Sequence, residues 1–293
     1  MKPPAFFDDE RRAVDAALET LLPPADARPA SIHTALRYSV FAGGKRVRPM
    51  LCLESGRIFA ADVSAAMSVA CALEFIHTYS LIHDDLPALD NDDLRRGHPT
   101  CHKQFGEAIA ILAGDALLTL AFETLAGAPV EPVRRVALIA EVASAAGTRD
   151  GMVGGQVADL EAERQPVTAE MLEYIHKSKT AALIRASILA GAISAGASES
   201  DIARLRRFGD RIGWAFQVTD DILDVEESSA ALGKSAGKDQ AQQKATYPAL
   251  FGLAKSHDFA RELAASAMAE LAPFGERTAR LKALAEFLVA RRA

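Results

Sequence analysis

The chain has 293 residues, 49% hydrophobic and 25% charged, the composition of a globular protein with enough core for one large domain or two ordinary ones. A formal net charge of -6 excludes a broad nucleic-acid footprint, so any anion site must be built locally from a few placed Lys and Arg. Cys52, Cys71 and Cys101 form no CxxC pair and are odd in number, which argues against a disulfide framework or structural zinc and fits a reducing, cytoplasmic setting.

Taken in chain order, the opening MKPPAFFDDERR lacks the apolar core of a secretory leader, and none is expected. Breaks at LLPPADARP, AGAPVEP, AERQPVT and AGASESD separate stretches whose apolar residues recur at three- and four-residue spacing, the mark of helices. GGKRVRP, residues 43–49, ends in a proline suited to a first helical turn, so a helix is expected from Pro49 through MLCLESGRIF. Residues 64–82 read as a helix apolar almost all round, as befits the centre of a bundle. Residues 107–125, 132–147 and 277–290 repeat the helical pattern, and RIGWAFQVTDDILD at 211–224 is a second buried-type helix. There is no strand–helix alternation and no long linker. The richest apolar stretch, 181–197, holds Arg185 near its middle, short of the roughly 18 uninterrupted residues of a membrane span. The expectation is one all-α domain over residues 1–293, with about ten or more helices of ordinary length and no span.

Two acidic clusters stand out. HDDLPALDNDDLRRG carries Asp84, Asp85, Asp90, Asp92 and Asp93 before Arg95 and Arg96; the second cluster holds Asp220, Asp221, Asp224, Glu226 and Glu227. Each follows an apolar helix. Pro87 cannot donate to the His83 carbonyl, so the first helix should end near Leu86, where the macrodipole disfavours carboxylates. Asp220 and Asp224, four apart, repel by roughly 0.2–0.5 kcal/mol even when exposed. A single Asp-rich stretch is most often a solvated turn. Two of them, each closing an apolar helix, point instead to Mg²⁺, which takes a few carboxylates, keeps waters and completes its shell with phosphate oxygens. An EF-hand is excluded, because counting from Asp90 the required Gly position holds Arg95.

Cations to meet such a phosphate are present. Lys45, Arg46 and Arg48 precede the helix expected from Pro49, and a helix N-terminus is itself an anion site. His77 is either a core histidine or a phosphate donor. Lys179 and Thr180 lead into an apolar helix, Lys234 sits in the glycine-flanked LGKSAGK, and Lys244 precedes TYPAL. Gly151, Gly154 and Gly155 on a helix cost about 1 kcal/mol each relative to Ala, a cost that close packing or a nearby ligand would justify. Gln156 and Asp159 share a face of that helix.

These motifs resemble, over nearly the whole chain and in order, the trans-isoprenyl diphosphate synthases, most closely the bacterial-type farnesyl diphosphate synthases. GGKRVRP, DDLPALDNDDLRRG, GGQVADL, KTAALI, FQVTDDILD, GKSAGKD and KATYPAL carry the resemblance; Asn91 departs from it, standing where many relatives have Asp. It implies a helical bundle of the isoprenoid synthase type with a central apolar cavity, and a homodimer. It implies three Mg²⁺ held by Asp84, Asp85, Asp90, Asp220, Asp221 and Asp224. Lys45, Arg48, His77 and Arg96 would bind isopentenyl diphosphate; Arg95, Lys179, Lys234 and Lys244 would bind the allylic diphosphate. Thr180 and Gln217 would line the reacting carbons, completing a catalytic set with Lys179, Asp84 and Asp220. Tyr79, five residues before Asp84, would stop the growing chain at fifteen carbons, reinforced by Phe75. Farnesyl diphosphate is the implied product, with geranyl or geranylgeranyl diphosphate as alternatives.

Three rivals are weaker. An all-α metal-dependent phosphohydrolase, suggested by His83-Asp84, needs histidine partners that His33, His77, His98 and His102 do not supply by spacing. A terpene cyclase would lack GGKRVRP and one acidic motif. A non-catalytic partner subunit would have lost aspartates or lysines that this chain retains.

Overall fold

The computed structural model describes residues 2–60, 62–163, 166–227 and 246–290. Helices α1 (Phe7–Leu21) and α2 (Ala30–Val40) lead to α3 (Val47–Gly56) and the long α4 (Ser64–Asp84). A hairpin of β1 (Leu94–Arg95) and β2 (His98–Pro99) follows, then α5 (Cys101–Phe105), α6 (Glu107–Ala126), α7 (Pro132–Ala146), α8 (Met152–Ala162) and α9 (Ala169–Ile175). A π-helical turn, His176–Ala181, feeds α10 (Ala182–Ser194), and α11 (Glu199–Glu227) is the longest helix described. After it come α12 (Tyr247–Phe251), α13 (Leu253–Glu270), a 3₁₀ segment (Ala272–Thr278) and α14 (Ala279–Val289).

The fold is all-α, as expected, and the hairpin is the sole sheet among the described residues. Its central residues, Arg96 and Gly97, both take positive φ, the type I′ geometry that matches strand twist. Helix α4 is the axis of the bundle. Small and aliphatic side chains cover its whole circumference, and it packs against α1, α2, α3, α6 and α10. Phe75 at its centre is fully buried, so truncating it to Ala should cost about 3–5 kcal/mol. A second apolar cluster joins α3, α10 and α11 to the C-terminal helices through Ile188, Phe208, Leu284 and Phe287.

One expectation changes. Helix α3 starts at Val47, two residues before Pro49, because Arg46 takes a left-handed φ of 50° and becomes its N-cap. The second acidic cluster occupies the last two turns of α11 as described, so Asp220 and Asp221 lie inside the helix, which runs through Glu227. By length and average composition, though not by uninterrupted runs, α4 and α6 are long and apolar enough to cross a membrane. For α4 that character reflects burial within the bundle. Helix α6 leaves Ile111 and Leu112 exposed on its outer side.

Candidate active site

A cavity of about 740 Å³ opens between the 43–48 loop, α4, the β-hairpin and α11. Lys45, Arg48, His77, Arg95, Arg96, Thr180, Gln217 and Asp220 all line it, so residues from four separate sequence motifs meet around it with His77. Leu81, Val47 and Phe216 supply apolar wall, making this cavity mixed in character rather than purely apolar.

The cationic side is held by a buried anchor. Arg46 turns inward, only 4% exposed, and donates to Asp15 at 2.7 Å, Glu74 at 2.8 Å and the Val40 carbonyl at 2.8 Å. Glu74 sits in the middle of α4 and is 2% exposed, so removing Arg46 would strand a buried carboxylate. The pair nails the GGKRVRP loop to the bundle axis. Arg96 lies across the same loop and donates to the Gly43 carbonyl. A Cβ at Gly44 would stand 2.6 Å from the Arg96 guanidinium, so glycine there lets the hairpin and the loop meet. Burial, with Arg48, Arg96, Arg95 and Arg46 around it, holds the His77 imidazole well below its ordinary pKa, so it is neutral at pH 7. A neutral ring can still donate one hydrogen bond to a phosphate. Lys45 is exposed, with Nζ 5.9 Å from the centre of the Phe287 ring on α14.

The first acidic cluster forms a wound loop. Helix α4 stops at Asp84, and the Asp85 N–H donates back to the Leu81 carbonyl. The chain then curls so that the Asp90 N–H donates to the Asp84 carbonyl at 2.8 Å and the Asn91 N–H to that of Leu86 at 3.1 Å. Asn91 takes a φ of 50°, a left-handed conformation in which Asn is among the best tolerated side chains. The curl brings Asp90 beside Asp84. Burial raises the Asp84 carboxyl to about 6, opposed by Lys179 and assisted by the Asp90 charge. Asp85 points elsewhere. It is buried and receives Arg95 Nε at 2.8 Å and a second guanidinium nitrogen at 2.6 Å. Its carboxyl is nonetheless raised, because burial outweighs the arginine.

Across the site, the π-helical turn presents Lys179 and Thr180. A Cβ at Gly155 of α8 would stand 2.2 Å from the Lys179 N, so glycine there admits the turn's backbone against α8. Lys179 Nζ donates to Asp159 at 2.6 Å, from the same helix as Gly155. From that turn Thr180 donates to Oε1 of Gln217 on α11 at 2.7 Å, and Gln217 Nε2 donates to Asp221 at 3.1 Å. Asp221 is 4% exposed and also accepts from the Tyr247 N–H at 2.8 Å, with His176 Nε2 3.3 Å away. Asp221, which the resemblance groups with the metal ligands, thus has both its oxygens facing buried protein donors. Asp220, its neighbour, lines the cavity, and Asp224 lies one turn further along α11.

Among the described residues no group of three or more His, Cys, Asp or Glu side chains converges closely enough to hold a metal alone. Mg²⁺ retains waters and takes substrate phosphate oxygens, so one or two carboxylates from the protein would suffice to hold it. Asp84 and Asp90, brought together by the loop's Asp90 N–H to Asp84 carbonyl bond, are an oxygen donor set of that kind.

The polyprenyl synthetase family model matches residues 29–281. The chain belongs to the polyprenyl synthetase family. It is therefore a prenyltransferase. It is 52% identical over 295 residues to the heterodimeric geranylgeranyl pyrophosphate synthase large subunit 1 of Arabidopsis thaliana, covering 98% of this chain and 79% of that protein. It is 50% identical over 291 residues to the geranylgeranyl pyrophosphate synthase of Catharanthus roseus, covering 98% and 81% respectively. Among solved structures, an FPP/GFPP synthase from Zymomonas mobilis superposes with a TM-score of 0.87 at 38% identity, over 97% of each chain.

Not every motif of this synthetase falls within what is described. Lys234 and Lys244 lie outside the described residues. Tyr79 is buried below Asp84 and is not on the wall of the 740 Å³ cavity. Its ring meets that of His83 edge to face at 5.8 Å, and burial together with Asp84 pushes its hydroxyl up to about 12. Sequence reading missed Phe216, His98 and His176 as site residues, and it singled out Asp159 without its partner Lys179. Phe216 had a signal, being four residues before Asp220 and thus on its face of α11. His98 had none, because only the hairpin turn brings it to the cavity.

Proposed function

We propose that this prenyltransferase makes farnesyl diphosphate by condensing isopentenyl diphosphate with dimethylallyl and then geranyl diphosphate. The supporting observation for length is Tyr79: a buried ring five residues before Asp84, about 7.5 Å below the metal end by the helical rise, with Phe75 one turn deeper. Asp84, Asp90, Asp220 and Asp224 would hold Mg²⁺ at the mouth, with Asp85 supporting through Arg95. Bound there, the ions would stabilise the departing allylic diphosphate where its charge develops. Arg95 and Lys179 would add cationic donors to that diphosphate once their carboxylate partners share them. Lys45, Arg48, His77 and Arg96 would hold isopentenyl diphosphate. Thr180 and Gln217 would present oxygens to the allylic cation, and the apolar walls would keep water from it. We propose that a second copy of the chain covers the outer side of α6, where Ile111 and Leu112 are exposed. The three free, buried cysteines suit a cytoplasmic setting.

A twenty-carbon product is the second reading, favoured by the names of the two plant relatives. Incubation with labelled isopentenyl diphosphate and each allylic diphosphate, with product lengths read by chromatography, separates them. Fifteen carbons from the native chain, and twenty or more from Tyr79→Ala, is the expected result. If native enzyme stops at twenty, or Tyr79→Ala still stops at fifteen, the length assignment fails.

A further inference from the structure

We infer that Asp221 is a positioning residue that fixes which end of the Gln217 carboxamide faces the reacting carbons. The inference rests on the proposed placing of Thr180 and Gln217 beside those carbons. Four donors and acceptors, read in order, force the orientation. The Tyr247 N–H can only donate, and it ends on Asp221 Oδ2 at 2.8 Å. A carboxylate can only accept, so Asp221 Oδ1, 3.1 Å from the Gln217 side chain, requires the amide NH₂ on its side. The carbonyl oxygen of Gln217 must then point the opposite way, where it accepts from Thr180 at 2.7 Å beside the cavity. His176 stands 3.3 Å from Asp221 Oδ2 and, stacked on the Tyr247 ring at 5.7 Å, closes the packing behind the carboxylate.

The consequence is electrostatic. A carbonyl oxygen turned to the cavity stabilises a developing carbocation, whereas an NH₂ group there would oppose it. Asp221 thus acts on the reaction through Gln217 and not through a metal. Its burial also explains why two adjacent aspartates on α11 can differ completely in role: successive residues on a helix lie about 100° apart, so Asp220 reaches the cavity while Asp221 reaches the α12 backbone.

The test is Asp221→Asn, close to isosteric. Because the Tyr247 N–H still needs an acceptor, the Asn oxygen must face it, and the Asn NH₂ must face Gln217. The Gln217 amide then flips and turns its NH₂ toward the cavity. At saturating Mg²⁺ and substrates, kcat should fall about tenfold or more, with both KM values and the Mg²⁺ half-saturation within about twofold of native. Adding Gln217→Glu should recover most of the loss, since a carboxylate accepts from the Asn NH₂ with one oxygen and from Thr180 with the other. A thermal melt of each variant establishes that it is folded. If Asp221→Asn instead raises the Mg²⁺ requirement and regains kcat at high Mg²⁺, Asp221 is a ligand and the inference is overturned. An unchanged kcat, or a double variant no faster than the single one, also overturns it. Should Asp221→Asn fail to fold, Gln217→Leu, which removes the oriented dipole itself, must lower kcat without moving the Mg²⁺ half-saturation. A native enzyme that forms no prenyl product would overturn the proposed function instead, so the two failures are distinguishable.

Discussion

The two acidic motifs look alike in sequence but are built on different backbones. At the first, α4 has ended, and a wound loop folds Asp90 back against Asp84. At the second, α11 continues straight through, so Asp220 and Asp224 are placed by helical geometry alone. Yet each motif divides its leading pair in the same way. In each, the second aspartate is buried in hydrogen bonds: Asp85 with Arg95, Asp221 with Gln217 and the Tyr247 N–H. A DD pair here is thus one candidate ligand and one brace. The brace differs with the backbone: a loop-borne guanidinium at the first motif, a buried backbone donor at the second.

The largest effect should come from removing the two candidate ligands. Asp84→Ala or Asp220→Ala is expected to lower kcat at least about a thousandfold, the several kcal/mol that metal-held charge stabilisation supplies. Asp84→Ala should melt no lower than native protein without Mg²⁺, because burial disfavours the Asp84 carboxylate. Near-native turnover in either variant, unaffected by EDTA, would dissolve the comparison.

Next in size is the turn that faces both motifs. Gly155→Ala places a Cβ where the Lys179 backbone now lies, and a displacement near 1 Å in such a group costs about a hundredfold in kcat. If kinetics of Gly155→Ala match native enzyme, Lys179 is not held by this contact.

Arg48→Ala tests whether the cationic loop serves a separate substrate. Loss of one charged partner typically costs about 1.5–3 kcal/mol, so isopentenyl diphosphate should bind roughly ten- to over a hundredfold more weakly, with the allylic substrate little changed. Equal weakening of both would show that the division of the site is wrong.

The smallest effect is in pH. The folded-state pKa of Asp84, about 6, lies above its ordinary 3.8. In metal-free protein its contribution to stability is therefore fully present below the ordinary value and is lost as pH rises through about 6. Mg²⁺ needs the ionised carboxylate, so its half-saturation should rise up to about tenfold per pH unit below 6, and its stabilisation of the fold should be larger at pH 7.5 than at pH 5. Melting curves with and without Mg²⁺ across this range check both signs. A flat Mg²⁺ response would remove Asp84 as the group that makes the first motif sensitive to protonation.

Much of this arrangement was legible in the residues. The all-α class followed from apolar spacing, and the end of α4 from Pro87. Gly155 was marked by its cost in a helix, although its neighbour in space was not. The start of α3 was misplaced, because Pro49 suits a first turn but the left-handed Arg46 already caps the helix two residues earlier. Arg46 itself read as one cation of three. Only folding shows it turned into the bundle to meet Glu74 and Asp15, from helices 28 residues later and 31 residues earlier in the chain.

The sequence by itself determined what each segment would be: which stretches are helices, where carboxylates and cations concentrate, and which family they spell. Those properties depend on local spacing and side-chain chemistry, which adjacent residues carry with them. Only the tertiary structure decided which member of each acidic pair is tied into buried hydrogen bonds. That choice depends on donors brought from distant segments, such as Arg95 to Asp85 and the Tyr247 N–H to Asp221, and a buried carboxylate turns toward whichever donors satisfy it.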